Sequence, residues 1–286
     1  NHGGAAVSEQ AAHGSLCVLA ELLTANHDAL DEPRLEQAFE AAWAMRDSRQ
    51  KHIRLATIQV LPSLATAAPH AQALRWLPQL ASHLLGALHQ HHGYEAQRAA
   101  ALVALGRVAL AIGGSAFAQY TPDVLNACHE ALPPAPTIKS TGPGMPFGKS
   151  LRFEGRTQAG PAGLEALVCI ECLARAHGAQ LEPLLRPMLP HLFFAGLSVT
   201  LAATLRSLSE HLPALRPQLQ ALLLDTVAML LLRTSFSEWA ASLDVVGGGR
   251  YPGANGHAYS GYLGGHSVSD GGGRGGKGGG DGGGEG

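Results

Sequence analysis

Apolar residues recur at helical spacing through most of this chain, in runs of similar length that follow one another after short breaks. The clearest stretch is LEPLLRPMLPHLFFAGLSVTLAATLRSLSEHLPALRPQLQALLLDTVAMLLL, from Leu181 to Leu232. Three or four apolar positions per two turns mark one buried helix face. HGSLCVLAELL ends a first apolar helix near Leu23, whose pairing partner is expected upstream. A second helix opens at Pro33, behind Asp31 and Glu32, and sets Leu35, Phe39 and Trp43 four residues apart on one face. The link RDSRQ leads to a helix over 52–67, in which Pro62 should kink the backbone or tighten the last turn. Helices over 71–89 and 94–112 come next, the second closed by Gly113 and Gly114.

The next helix spans 117–132 and is closed by Pro133 and Pro134. Its partner resumes near Leu164 and runs to His177, and helices over 181–195, 198–212 and 215–232 complete the series. Uninterrupted pairs repeat about every 40 residues, which fits HEAT or armadillo repeats better than the 34-residue TPR class. The predicted fold is therefore all-α, an α-solenoid of antiparallel helix pairs that bury their faces on their neighbours. Four segments result: helical repeats over 1–132, a Gly/Pro-rich insertion loop over 133–163, further repeats over 164–235, and a glycine-dominated, disordered tail over 247–286. The periodicity also assigns Leu205 to the repeat core.

Composition agrees with helices. Hydrophobic residues make up 46% of the 286 positions and aromatics only 5%, whereas strands favour β-branched and aromatic side chains. Charged residues are 15% and the formal net charge is −2, so no overall field draws the chain to nucleic acid or anionic membranes. The most apolar stretch, over 222–232, contains Asp225 and is shorter than the roughly 20 residues of a membrane span, so it reads as a buried repeat helix. The chain begins at Asn1 with no signal-peptide pattern and reads as a fragment of something longer. Its four cysteines, Cys17, Cys128, Cys169 and Cys172, lie in apolar helical runs and read as reduced, buried small hydrophobes of an intracellular protein.

Candidate chemistry is sparse. GPGMPFGKS, over 142–150, approaches a phosphate-binding loop, but the spacing puts Pro143 at the required glycine and no strand precedes it. Cys169 and Cys172 have CxxC spacing with His177 nearby, yet a structural zinc site needs four converging ligands, and buried helix cysteines are the better reading. His89, His91 and His92 read as a solvated turn in preference to a metal site. His129, His191 and His211 read as single helix-end caps. GGGRGGKGGG resembles an RNA-binding RGG segment, but its two cations are offset by Asp270, Asp281 and Glu285, so a linker is the default. No catalytic, cofactor-binding or metal residues are assigned.

The wording and order of the helices add a resemblance. CIECLARAHGAQLEPLLRPMLPHLFFAGLSVTLAATLRSLSEHLPALRPQLQALLLDTVAML resembles the N-terminal HEAT-repeat region of target-of-rapamycin (TOR) kinases. HGSLCVLAELL, IRLATIQVLPSLA, AALVALGRVALAIG and YTPDVLNACHEALPP resemble the same region in the same order, over about His13–Leu232. The chain departs from the family after ALPP, where a basic stretch is usual, at Ser198-Val199, where the family has Ser-Pro, and in its glycine-rich end. The resemblance implies the helical scaffold of a serine/threonine protein kinase in nutrient and growth signalling. It further implies docking of a Raptor-like subunit and of a second TOR protomer, and a cytoplasmic place, peripheral on endomembranes through the complex. ATP and magnesium would belong to the parent's kinase domain, of which no residue can be placed here. A stand-alone HEAT/armadillo adaptor without kinase activity is the alternative.

Overall fold

The computed structural model describes residues 8–26, 30–89, 94–133 and 161–232. The chain divides into compact units Asn1–Ala240 and Ala241–Gly286, and every described residue lies in the first. The glycine-rich tail and nearly all of the 133–163 insertion, the near-P-loop included, lie outside the described residues. Those described are helical, with no strand among them.

Helices α1 (Glu9–Ala25), α2 (Glu32–Ala44), α3 (Lys51–Ala67), α4 (His70–Leu88) and α5 (Glu95–Ile112) come first. The short α6 (Gly114–Phe117) leads through a 3-10 turn to α7 (Thr121–Ala131), and α8 covers Pro161–His177. The short α9 (Glu182–Leu185) and α10 (Leu189–Phe194) precede α11 (Val199–His211) and α12 (Arg216–Leu232). Local chemistry sets several starts. The Ser8, Asp31 and Ser198 side chains accept from the backbone N–H groups of Ala11, Arg34 and Leu201, satisfying donors that a helix start leaves open. Pro62 sits inside α3 without ending it; its carbonyl accepts from the Thr66 hydroxyl at 2.8 Å.

The helices form two files. One runs α1, α3, α5, α8 and α11, each packed on the next. The other holds α2, α4, α7, α9–α10 and α12, and α2, α4 and α7 lean on α3, α5 and α8. This is an all-α helical-repeat solenoid. The core lies between the files, where Leu61, Leu64, Leu80, Leu84, Leu105, Leu167, Ile170 and Leu173 have no solvent exposure. Burial of one such side chain contributes about 1.5–3 kcal/mol, and most of it here is burial against a neighbouring pair.

Helices α5 and α8 approach each other closely. A Cβ built on Gly106 would stand 2.9 Å from the Cys169 Cα and 3.0 Å from the Cys172 Cβ, so only glycine lets the two backbones meet. One on Gly114 would meet the Ala176 carbonyl oxygen at 2.5 Å, which fixes the turn after α5 against the end of α8.

Four expectations need correction. The 181–195 segment is not one helix: α9 and α10 alternate with 3-10 turns at 178–181 and 186–188. Pro183, Pro187 and Pro190 each lack the N–H that would continue the ladder, so the helix restarts at every one. The α12 stretch is a repeat helix, but one face only is covered: Leu219, Leu222 and Thr226 are buried, while Leu224 and Leu231 are 69% and 77% exposed. Leu205 is only half buried, because Leu201, Thr204 and Leu208 carry the inward stripe of α11. Cys17 is exposed; Ala12, Leu16 and Leu23 face inward, and Cys17 lies about 100° around the helix from Leu16.

Candidate functional site

Among the described residues no three His, Cys, Asp or Glu side chains are grouped to hold a metal ion. Cys169 and Cys172 face inward from α8. Cys169 has its thiol pKa raised by a hydrogen bond with Cys128 of α7 and by burial. Burial, with Cys169 and Glu171 nearby, pushes Cys172 up to about 11. Both are protonated thiols at neutral pH, poor metal ligands and poor nucleophiles. His177 joins neither. The Thr121 hydroxyl donates to the Phe117 carbonyl at 3.3 Å, leaving its oxygen to accept from His177 Nε2–H at 2.9 Å. His89 turns back on its own helix and donates from Nδ1 to the Leu85 carbonyl at 2.8 Å, while His91 and His92 lie outside the described residues.

The polar and aromatic side chains concentrate at the seams between successive pairs. Where α2 meets α4, Phe39 stacks on Trp76 with centroids 4.1 Å apart and planes 2° from parallel. Trp43 meets the edge of His83 at 5.4 Å and carries the Arg46 guanidinium 4.7 Å above its ring. The Glu36 carboxylate accepts from the Gln72 amide and from Arg75, the latter at 3.3 Å. Burial lowers the pKa of His83, with Asp47 opposing and Arg46 adding to the effect. At the α3–α5 seam, Lys51 and Arg54 lie 5.6 and 5.5 Å from the Tyr94 ring, and the Gln97 amide donates to the Lys51 carbonyl. At the α1–α3 seam, His13 and His52 rings are 5.1 Å apart and Gln50 donates to Glu9 at 2.9 Å.

His129 and His191 do not stand singly at helix ends. Their rings meet edge to face across the α7–α10 seam at 4.5 Å. Ring-stacking and hydrogen-bonding residues at these seams come from different helix pairs, which periodicity within one helix cannot reveal. The one signal in the sequence was the rarity of aromatics, since Phe39, Trp43 and Trp76 are few enough to be suspected of sharing a contact.

A cleft of about 210 Å³ opens where α4, α5, α7 and the start of α8 converge. Leu88 and Leu102 floor it, and Arg98, Asp123, Asn126 and Glu130 line its rim. Asp123, Asn126 and Glu130 are exposed, so the cleft is a surface groove and not an enclosed reaction chamber.

Fold and surface thus define a class: an all-α helical-repeat solenoid whose distinctive chemistry sits in its inter-repeat seams. This chain is similar to TOR serine/threonine kinases. It is 26% identical over 236 residues to "Serine/threonine-protein kinase TOR" of Arabidopsis thaliana and 28% over 239 residues to the protein of that name in Oryza sativa subsp. japonica. It is 26% identical over 212 residues to "Serine/threonine-protein kinase mTor" of Drosophila melanogaster. These matches cover 82%, 83% and 74% of this chain but only 8%, 8% and 7% of the relatives' own length. The resemblance to the TOR family read from the ordered helices is borne out. No family model matches the chain.

Proposed function

We propose that this chain is a scaffold segment of a TOR-like serine/threonine protein kinase in nutrient and growth signalling. Its repeats would assemble the kinase and dock partner proteins. The similarity to TOR kinases of two plants and an insect, extending over 74% or more of the chain, carries this reading. The physical character of the repeats supports it: stacked pairs present many side chains over a long surface, which suits a distributed protein contact better than a small-molecule pocket. On this proposal the partners are a Raptor-like subunit and a second TOR protomer. ATP and magnesium act in a kinase domain elsewhere in the larger protein. The assembly works in the cytoplasm, peripheral on endomembranes through its complex; no helix among the described residues is long and apolar enough to cross a membrane.

The decisive experiment is to sequence the complete transcript that encodes Leu232, through to its stop codon. A kinase should continue for many hundreds of codons to HRD-like and DFG motifs. A stop shortly downstream would overturn the proposal in favour of a stand-alone repeat adaptor. Purification of the tagged full-length protein should then recover a Raptor-like subunit and a second copy of itself.

A further inference from the structure

The seam between α7 and α10 is closed by two imidazoles from different helix pairs. His129 and His191 have ring centroids 4.5 Å apart and planes at 70°. His191 is half buried, its Nδ1 is enclosed with no hydrogen-bond partner among the described residues, and Phe194 meets its ring at 5.7 Å. His129 is exposed in the last turn of α7. We propose that this pair makes the α7–α10 seam an acid-sensitive joint, closed while the rings are neutral and loosened when both take a proton.

Two neutral imidazoles meet edge to face without penalty, whereas two imidazolium ions at this distance repel, the more strongly because one of them is shielded from water. Among the described residues, the one charge acting on His191 is that of His129. Glu182 and Arg186, in the turns before α10, neutralise each other at 2.5 Å. Arg216 and Asp225 are the charged residues of α12, which packs on α10, and neither acts on the ring. Burial, and then the His129 charge, hold the His191 pKa below its ordinary 6.5. The unfolded chain therefore binds more protons at this site than the folded one. The joint's contribution to stability is complete above about pH 6.5 and is lost as the pH falls through the lowered folded value. His83 against Trp43 and His177 with Thr121 have pKa values lowered by burial as well, so the same sensitivity recurs elsewhere along the stack.

The test compares the whole 286-residue chain with its H129Q variant between about pH 7.5 and 5.0, the range over which histidines titrate. Imidazole carbon–proton NMR follows each histidine, and amide exchange corrected for intrinsic rates follows 189–194. In the wild type His191 should titrate below 6.5, and in H129Q it should move upward. Protection across 189–194 should fall with pH in the wild type and several-fold less in the variant. Identical His191 titration in the two proteins would overturn the proposal, as would an equal loss of protection. If H129Q alters the circular dichroism at neutral pH, H129N takes its place, with the same His191 titration and the same protection across 189–194 deciding the outcome.

Discussion

Two glycines in helix interiors should respond to the same substitution with opposite signs. Gly86 lies in α4 and Gly106 in α5, and in a peptide either change to alanine would stabilise the helix by about 0.8–1 kcal/mol. A Cβ added at Gly86 meets nothing within 4 Å, so Gly86→Ala should keep that gain. At Gly106 the new methyl would enter the α5–α8 contact, 2.9 Å from the Cys169 Cα, 3.0 Å from the Cys172 Cβ and 3.1 Å from the Cys169 carbonyl oxygen. Two of those atoms are backbone and cannot rotate away. The helices must separate, and overpacking of this kind costs about 1–3 kcal/mol.

At Gly106 the propensity gain is therefore outweighed, leaving a net loss of up to about 2 kcal/mol. A kcal/mol moves the melting temperature of a folded unit this size by about 2–4 °C. Thermal melts of the full chain, tracked by far-UV circular dichroism, should place Gly86→Ala above the wild type and Gly106→Ala below it. Equal stabilisation by both would mean that α5 and α8 do not approach so closely, and the two-file packing would be wrong at its centre.

Thiol accessibility offers a second check: with Ellman's reagent under native conditions at neutral pH, Cys17 should react quickly, while Cys128, Cys169 and Cys172 should react only on unfolding. Immediate reaction of all four would refute the burial of the α7–α8 thiols. A double-mutant cycle on Phe39→Leu and Trp76→Leu should reveal a coupling of about 0.5–1.5 kcal/mol from their stacking, measured by urea denaturation, and a coupling near zero would break the α2–α4 seam. Leu201→Asp should unfold the α11 region, since its side chain is 1% exposed, whereas Leu205→Asp should be tolerated better because that side chain reaches solvent. The reverse order in proteolysis or melting would put α11 in the other phase.

The elements that sequence periodicity locates well are those whose partners repeat the same chemistry. In α3 Ile53, Ile58, Leu61 and Leu64 of the apolar series are buried and Leu55 is half buried, because α1 and α5 flank the helix much as any repeat flanks another. Prolines spoil that simplicity. The run over 181–195 has helical spacing throughout, yet Pro183, Pro187 and Pro190 break it into short turns, since spacing says nothing about a missing N–H. Pro62 does not break α3, so proline number and setting decide, and single-residue rules do not.

The seams were harder to read for a different reason. A seam joins residues that are distant along the chain, such as Glu36 with Gln72 or Lys51 with Gln97, and it depends on how two pairs are rotated about each other. That rotation is set by contacts such as Gly106 on Cys169, where the absence of a side chain is the signal and apolar counting is blind to it. His129 and His191 illustrate the consequence. Each taken alone is a polar residue near a helix end, where solvent or a free carbonyl satisfies it. Only the α7–α10 packing brings the two rings together and lets the His129 charge act on His191, so the coupling resides in the arrangement of the repeats and not in any one helix.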